Sequence, residues 1–243
     1  MNIYYKISIL TLVLISIGTF LTFAIFKFDL KKIKEKELDK KIIMWFPLAL
    51  VFISGLYFGK ILRTITFLVI LFFCVLEFKK MKHKKSILLV SFFVLNIIGL
   101  AHLGLFHLIP NYEIVLVYLI FGTSVSDVFG FLLGNTIGRH KLPEYINGKK
   151  SWEGVFGQIL GAFIGVLLVH QYLFSNNYLF LFLPIGIGCI AGDLTNSTSK
   201  RILGIKNWSN FIPGHGGFLD RFSSLSGSSL LTFYFLFVGG LIH

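Results

Sequence analysis

Charged side chains are scarce in this sequence, and their scarcity excludes a soluble globular protein. Asp, Glu, Lys and Arg make up 14% of the 243 residues, whereas hydrophobic residues make up 55% and aromatic residues 16%. A soluble domain contains about 25% charged residues, and water could not hydrate a surface that had to carry 28 Phe side chains. The composition predicts an integral membrane protein made of spans and short connections, with no separate soluble domain.

Cysteine is scarce, and the two cysteines do not have the spacing of metal ligands. The two cysteines, Cys74 and Cys189, lie in different apolar stretches and are interpreted as small lipophilic side chains. No second His or Cys stands at ligand spacing from His215. We expect His215 to bond a phosphate or to pack in a turn.

Acidic residues are also scarce: there are 11 of them against 23 Lys and Arg, which gives a formal net charge of +12. In a soluble protein this charge would suggest nucleic acid as a partner. Here no basic stripe alternates with exposed aromatics, and Lys and Arg accumulate in the cytoplasmic loops of membrane proteins. We therefore expect no nucleic-acid partner and interpret the positive charge as a topology signal.

Eight apolar runs predict an all-α, polytopic membrane protein with about eight transmembrane helices. The runs cover residues 7–26, 42–58, 64–78, 86–109, 113–138, 152–174, 178–199 and 225–242. A cleaved signal peptide is the alternative for the first run, although a cluster of lysines follows it directly. A re-entrant pair is the alternative for the second and third runs.

The basic residues orient these helices. If the N-terminus lies outside, all but three of the 23 Lys and Arg fall in four cytoplasmic loops. The three on the other side are Lys6, Lys60 and Arg63. A shift by one span would reverse this bias in every later loop. We therefore predict a cell (inner) membrane protein with its N-terminus outside and its polar motifs facing the cytoplasm.

A polar stretch near the C-terminus carries the candidate chemistry. Two carboxylates there, Asp193 and Asp220, suit one Mg²⁺ that takes its other ligands from water and substrate phosphates. The backbone N–H groups of the glycine turn at 214–217 suit phosphate oxygens, because residues without a Cβ let amides approach an anion. The structural alternative is a simple glycine turn before the last span, followed by a surface ion pair. Further positive charge comes from Lys200, Arg201 and Arg221.

Two more polar features lie upstream. Asp127 falls inside the fifth apolar run, where an ionised group must be paired or line a wet cavity. A buried ion pair is the structural alternative for this residue. Lys149 and Lys150 precede a helix that Ser151 can cap, with Glu153 in its first turn. The two lysines either serve topology alone or reach polyphosphate or anionic headgroups.

Several of these motifs match a known family in order and spacing. The signature of phosphatidate cytidylyltransferases (CDP-diacylglycerol synthases) is similar to Ser197-x-x-Lys200-Arg201-x4-Lys206 followed by Ile212-Pro-Gly-His-Gly-Gly-Phe-Leu-Asp-Arg-Phe222. The stretches 127–134, 138–142 and 149–154 resemble upstream motifs of the same family. The N-terminal half matches only as a series of spans.

The resemblance implies an Mg²⁺-dependent membrane enzyme that transfers CMP from CTP to phosphatidate, giving CDP-diacylglycerol and pyrophosphate. It implies N-terminal transmembrane helices over 1–112, a catalytic transmembrane region over 113–243, and a homodimer. Asp193 and Asp220 are the implied metal ligands, and both are implied catalytic residues together with Lys200 and Arg201. The implied substrate-binding residues are Asp127, Lys149, Lys150, Ser197, Lys206, Gly214, His215, Gly216, Gly217 and Arg221.

The sequence departs from the family pattern at several polar positions. Asn196, Asn207 and Ser223 stand where the family usually has acids, and Asn135 stands where it usually has Arg. Ligands remain for one Mg²⁺, whereas a second cation loses carboxylates. Two alternatives stay open: a CTP-using enzyme that acts on another lipid phosphate or a polyprenol, and a non-catalytic membrane protein that binds anionic lipid through its basic loops.

Overall fold

Eight helices of 20 to 24 residues carry the chain back and forth. The computed structural model describes residues 3–25, 28–30, 38–79, 87–108, 113–147, 150–173, 178–212 and 216–241. The helices are α1 (Ile3–Ile25), α2 (Leu38–Tyr57), α3 (Gly59–Lys79), α4 (Ile87–Leu108), α5 (Glu113–Thr136), the short α6 (Glu144–Asn147), α7 (Trp152–Leu173), α8 (Phe182–Leu203) and α9 (Phe218–Val238). A 3₁₀ turn at Leu179–Leu181 leads into α8. The all-α prediction is confirmed, because these residues contain no strand beyond isolated bridges.

Six helices are long and apolar enough to cross a membrane, which confirms the polytopic prediction. They contain the stretches Tyr4–Ala24, Gly59–Lys79, Leu89–Phe106, Ile114–Thr136, Trp152–Tyr172 and Leu179–Leu203. In α2 the apolar part is shorter, Ile42–Tyr57, and α9 falls outside the set of six. The structure thus has the eight long helices that the apolar runs predict, of which six meet this criterion.

The helix ends differ from the predicted spans wherever polar residues continue a helix. The residues predicted to link the second and third spans belong to α3, which begins at Gly59. At the other end of the chain, α9 begins at Phe218 and α8 continues to Leu203. Asp220 therefore lies in the first turn of α9, and Lys200 in the last turn of α8. Apolar runs miss these turns because terminal side chains can reach water while the backbone stays helical.

The two ends of the bundle differ in polarity. At one end, Lys6 near the start of α1 bonds the Tyr172 carbonyl near the end of α7, at 3.5 Å. At the opposite end, Thr198 in α8 bonds a carbonyl of α6 at 3.0 Å, and Glu77 in α3 accepts from the Leu219 N–H in α9 at 2.9 Å. We call this second end the polar end. It collects the last turns of α3, α5 and α8 and the first turns of α7 and α9.

Close backbone contact between α5 and α7 positions the polar residues that they carry. A Cβ at Gly157 would lie 2.7 Å from the Phe129 carbonyl oxygen, and one at Gly161 would lie 2.6 Å from that of Val125. Only glycine allows this approach, as in other membrane helix pairs with small residues at the interface. The contact brings α5, which carries Asp127, directly against α7.

A second close contact joins α8 to α9. A Cβ at Gly188 would lie 2.5 Å from the Gly227 carbonyl oxygen, and Gly192 faces the Ser223 carbonyl one turn further on. The face of α9 that packs into the bundle is rich in small hydroxyl residues rather than in large apolar ones, which explains the lower hydropathy of this helix. These buried residues are Ser223, Ser224, Ser226, Ser228, Ser229 and Thr232.

Candidate active site

Asp193 is the centre of a polar cluster formed by α7 and α8. Its Oδ2 atom accepts a hydrogen bond from Gln158 Nε2 at 3.1 Å and pairs with the ammonium group of Lys150. Lys150 stands just before α7, and Gln158 lies in the second turn of that helix. The side chains of Lys150 and Asp193 are 27% and 30% exposed, although the Nζ atom of Lys150 is itself buried.

Asp127 joins this cluster from α5. Its Oδ1 atom accepts the Cys189 thiol at 3.3 Å, and its charge interacts with those of Asp193, Arg221 and Lys150. Two carboxylates and two cations from four parts of the chain thus share one site, which we call the Asp193 cluster. A carboxylate within a membrane span requires opposite charges of this kind beside it. The two cations also suit phosphate groups.

Asp220 lies in a different environment, where protein donors surround it. Its Oδ1 atom accepts from Lys200 Nζ at 2.5 Å, while Oδ2 accepts the backbone N–H groups of Trp208 and Gly217, each at 2.9 Å. Its side chain is only 2% exposed. The Asp220 carboxylate therefore connects the end of α8, the segment that follows it and the start of α9.

The glycine turn is closed by internal hydrogen bonds. Gly216 and Ile212 exchange two backbone bonds of 3.0 and 2.8 Å, and Gly216 has the left-handed φ of 84° that disfavours other residues. The Gly217 N–H already bonds Asp220. The two glycine amides in the described part of the predicted 214–217 cradle are thus used within the protein. Gly214 and His215 lie outside the described residues.

Glu77 is a site residue that the sequence analysis did not single out. It lies in the last turns of α3, is completely buried, and accepts three hydrogen bonds from the segment around the start of α9. The sequence feature that could have identified Glu77 is a single carboxylate near the end of an apolar run, because an ionisable group there is costly without partners.

Trp208 is a second residue that was not predicted. Its indole Nε1–H donates to Asn196 Oδ1 at 2.6 Å, and its ring stacks on Phe92 of α4 at 5.5 Å. Asn196 is buried and serves as the acceptor for this indole. Asn196, which departs from the family pattern, therefore has a hydrogen-bond partner in Trp208.

The remaining predicted residues differ in how directly the structure connects them to these clusters. Ser197 bonds the Asp193 carbonyl within α8 at 2.7 Å, as serines in helices often do. Ser151 caps α7 by accepting the Gly154 N–H at 3.2 Å, as expected. Three predicted site residues are exposed at the polar end: Arg201, predicted to be catalytic, and Lys206 and Arg221, predicted to bind substrate. Lys149 lies outside the described residues.

Asp193 can offer a carboxylate oxygen to a hard divalent cation, whereas Asp220 is 2% exposed and has protein donors on both of its oxygens. Asp193 Oδ1 has no hydrogen bond within the described chain, and Asp220 Oδ1 has Lys200 as its partner. Both carboxylates belong to helices that touch through Gly192 and Ser223. Among the described residues, no three His, Cys, Asp or Glu side chains form a closed metal site. Mg²⁺ commonly binds one or two carboxylates and completes its shell with waters and substrate phosphates.

Comparison with known proteins shows the family to which the chain is similar. Residues 10–238 match the model of the cytidylyltransferase family. A phosphatidate cytidylyltransferase of Aquifex aeolicus is 37% identical over 141 residues, which cover 57% of this chain and 54% of that protein. One from Haemophilus influenzae is 37% identical over 134 residues, 51% of this chain and 46% of that protein.

A plant relative is similar over a comparable length. Phosphatidate cytidylyltransferase 4, chloroplastic, of Arabidopsis thaliana is 38% identical over 119 residues, which cover 47% of this chain and 30% of that protein. The chain thus spans only about a third to a half of the length of these curated relatives.

Proposed function

Because the chain belongs to the cytidylyltransferase family, we propose that it transfers CMP from CTP to phosphatidate, forming CDP-diacylglycerol and pyrophosphate. The observation that carries this proposal is the Asp193 cluster, in which carboxylates and cations from four parts of the chain meet inside an apolar bundle. Such a site suits one substrate that arrives from water and another that stays in the bilayer.

The proposed reaction is an in-line transfer at the α-phosphorus of CTP. A phosphate oxygen of phosphatidate forms the new bond to this phosphorus, and the bond to the bridging oxygen of the β-phosphate breaks to release pyrophosphate. Chemistry of this kind needs positioning and charge neutralisation more than covalent catalysis. When bound, Mg²⁺ would neutralise the charge that develops on the phosphate oxygens, with Asp193 and Asp220 as its protein ligands.

Basic side chains are proposed to hold the polyphosphate. Lys150 pairs with Asp193, whose side chain is 30% exposed, and its ammonium is proposed to transfer from the carboxylate to a phosphate when CTP enters. Arg201 and Arg221 are exposed at the same end and can bind phosphate oxygens in a bidentate manner. Lys200 is proposed to act through Asp220, the carboxylate that it bonds.

We propose that the polar end faces the cytoplasm at the inner leaflet of the cell membrane. The excess of Lys and Arg on that side supports this orientation, and cytoplasmic CTP would reach the site directly. The homodimer implied by the resemblance remains a prediction.

A second candidate keeps the chemistry and changes the acceptor to another lipid phosphate or a polyprenyl phosphate. The observation that favours it is the loss of acidic side chains at positions 196, 207 and 223 relative to the family pattern. Asn196 is occupied by Trp208, and Ser223 is buried against α8. Both positions lie beside the proposed metal ligands, where a changed side chain can alter the acceptor.

The test is pyrophosphate release by the purified full chain with CTP, Mg²⁺ and a panel of phosphatidate, other lipid phosphates and polyprenyl phosphate. We expect turnover with phosphatidate, and a fall of at least about 100-fold in Asp193→Asn and Asp220→Asn. Glu144→Gln is the matched control, since it removes one exposed carboxylate from the same end of the bundle.

Each outcome of this assay has a separate meaning. Turnover with a different acceptor only would support the second candidate. Absence of turnover and of saturable CTP binding would leave a non-catalytic lipid-binding protein. Full activity in Asp220→Asn would exclude the proposed metal ligand.

A further inference from the structure

The carboxylate of Glu77 occupies the N-terminus of α9, although α3 and α9 are far apart in the sequence. It accepts hydrogen bonds from Ser209 Oγ at 2.6 Å, from the Phe218 N–H at 2.8 Å and from the Leu219 N–H at 2.9 Å. Its exposed fraction is 0%. The first amides of the helix that carries Asp220 are therefore bound by a side chain from the N-terminal half of the chain.

This arrangement satisfies two demands at once. The first N–H groups of a helix have no partner inside the helix, and the helix dipole favours a negative charge beside them. A buried carboxylate, in turn, is costly unless it is hydrogen-bonded. Three donors and the helix terminus stabilise the buried carboxylate. The carboxylate, in turn, provides the acceptor and the negative charge for the helix N–H groups. Glu77 and the start of α9 therefore satisfy each other.

The packing around Glu77 is tight. A Cβ at Gly217 would lie 2.6 Å from Glu77 Oε2, so glycine is required where the carboxylate crosses the turn. One turn earlier in α3, the Phe73 ring stacks on Phe218 at a centroid distance of 4.6 Å and an interplanar angle of 7°. The end of α3 thus holds the start of α9 by both a charge and a ring.

The hydrogen bonds of Glu77 lie beside those of Asp220. Gly217, whose N–H bonds Asp220 Oδ2, directly precedes the two residues that donate to Glu77. Ser209, the third donor, directly follows Trp208, whose N–H bonds the same Asp220 oxygen. Both backbone donors to Asp220 are thus next to a donor to Glu77.

We propose that Glu77 is a positioning residue for the site: it orders the turn at 216–219 and the segment at 208–209, and so sets the direction in which Asp220 presents its carboxylate. The activity consequence rests on the proposed function, whereas the ordering of the turn does not.

The first experiment replaces Glu77 by Gln, which keeps the shape but turns one acceptor oxygen into a donor. Hydrogen exchange measured by mass spectrometry is expected to accelerate in peptides covering 208–222 and to stay unchanged in those from α5 and α7. Pyrophosphate release should fall about 10- to 100-fold, and the Mg²⁺ concentration for half-maximal activity should rise. Cys74→Ala is the matched control, because it changes a buried α3 side chain one turn away and should alter neither measurement.

A double-mutant cycle tests the contact itself. Gly217→Ala alone should accelerate exchange at 208–222, because its methyl group would displace the carboxylate. In a Glu77→Ala background the same substitution should have little further effect, since the space is then free. If Glu77→Ala does not fold, Glu77→Gln carries the test.

The outcomes separate the two proposals. Unchanged exchange at 208–222 in Glu77→Gln, or a uniform increase over all helices, would overturn the positioning role. A wild-type protein that turns over no acceptor would refute the proposed function, while the exchange data would still decide the role of Glu77.

Discussion

Asp193 and Asp220 have the same chemistry but different surroundings, and this contrast defines the site at the residue scale. Asp193 is 30% exposed and shares a side-chain pair with Lys150, whereas Asp220 is 2% exposed and binds two backbone amides as well as Lys200. Asp193 is therefore free to exchange its partner for a ligand. Asp220 also maintains the connection between α8 and α9.

At the same scale, the Trp208–Asn196 hydrogen bond yields a prediction for stability. Trp208→Phe keeps a ring to stack on Phe92 but leaves the buried Asn196 oxygen without its donor. We expect the free energy of unfolding to fall by about 1–3 kcal/mol, measured as a lower thermal midpoint in detergent. Trp152→Phe is the control, because Trp152 is 57% exposed; equal midpoints in the two variants would contradict the prediction.

At the scale of elements, the site depends on how closely α5 approaches α7. Their backbones touch at glycines, so Asp127 on α5 and Gln158 on α7 come near the same carboxylate of α8. The Ser126 hydroxyl supports this contact by donating to the Gln158 carbonyl at 2.7 Å. Any widening of this interface would separate the charges of the Asp193 cluster.

Two glycine-to-alanine substitutions test this dependence because their effects should have opposite signs. Alanine is favoured over glycine within a helix by about 1 kcal/mol. At Gly55 the new Cβ would meet only a flexible Arg63 methylene at 3.3 Å, whereas at Gly161 it would meet the backbone of α5 at 2.6 Å. We expect Gly55→Ala to raise the thermal midpoint, and Gly161→Ala to lower both the midpoint and pyrophosphate release. Equal shifts in the same direction would mean that α5 and α7 do not pack closely.

At the scale of the whole molecule, the two ends of the bundle determine which residues lie on opposite sides of the membrane. Lys60 lies in the first turn of α3, at the end of the bundle opposite to the last turn of that helix, where Glu77 contacts α9. Lys141 lies between α5 and α7 at the polar end, where its backbone pairs with that of Ser151. A membrane that contains this bundle must therefore have these two lysines on opposite sides.

Labelling of intact cells tests which side is which. A membrane-impermeant maleimide should label Lys60→Cys in intact cells, and should label Lys141→Cys only after the membrane is permeabilised. The native cysteines, Cys74 and Cys189, are buried and should contribute little background. Labelling of Lys141→Cys in intact cells would reverse the proposed orientation.

Much of the helical architecture could be predicted, because hydropathy is a property of each stretch of chain by itself. The apolar runs predicted all eight long helices, yet they placed the start of the last one seven residues beyond Phe218. The error arose at Asp220 and Arg221, whose polarity suggested a connection although the backbone is already helical. The predicted cap at Ser151 was confirmed because a cap depends only on nearby residues.

The pairings within the site could not be predicted in the same way. Nothing local connects Glu77 to Ser209 or to the amides of Phe218 and Leu219, since these contacts exist only after α3 and α9 have packed together. The glycine turn was likewise expected to bind phosphate because its amides could donate hydrogen bonds. The sequence does not show that Ile212 and Asp220 accept the amides of Gly216 and Gly217.

The sequence by itself determined that this protein lies in a membrane, that it is helical, and that its charges gather at one end, because these properties add up residue by residue. Only the tertiary structure decided which donor satisfies which carboxylate. The physical reason is that a buried charge must find its partners within hydrogen-bonding distance. The glycine contacts between helices determine which partners come that close.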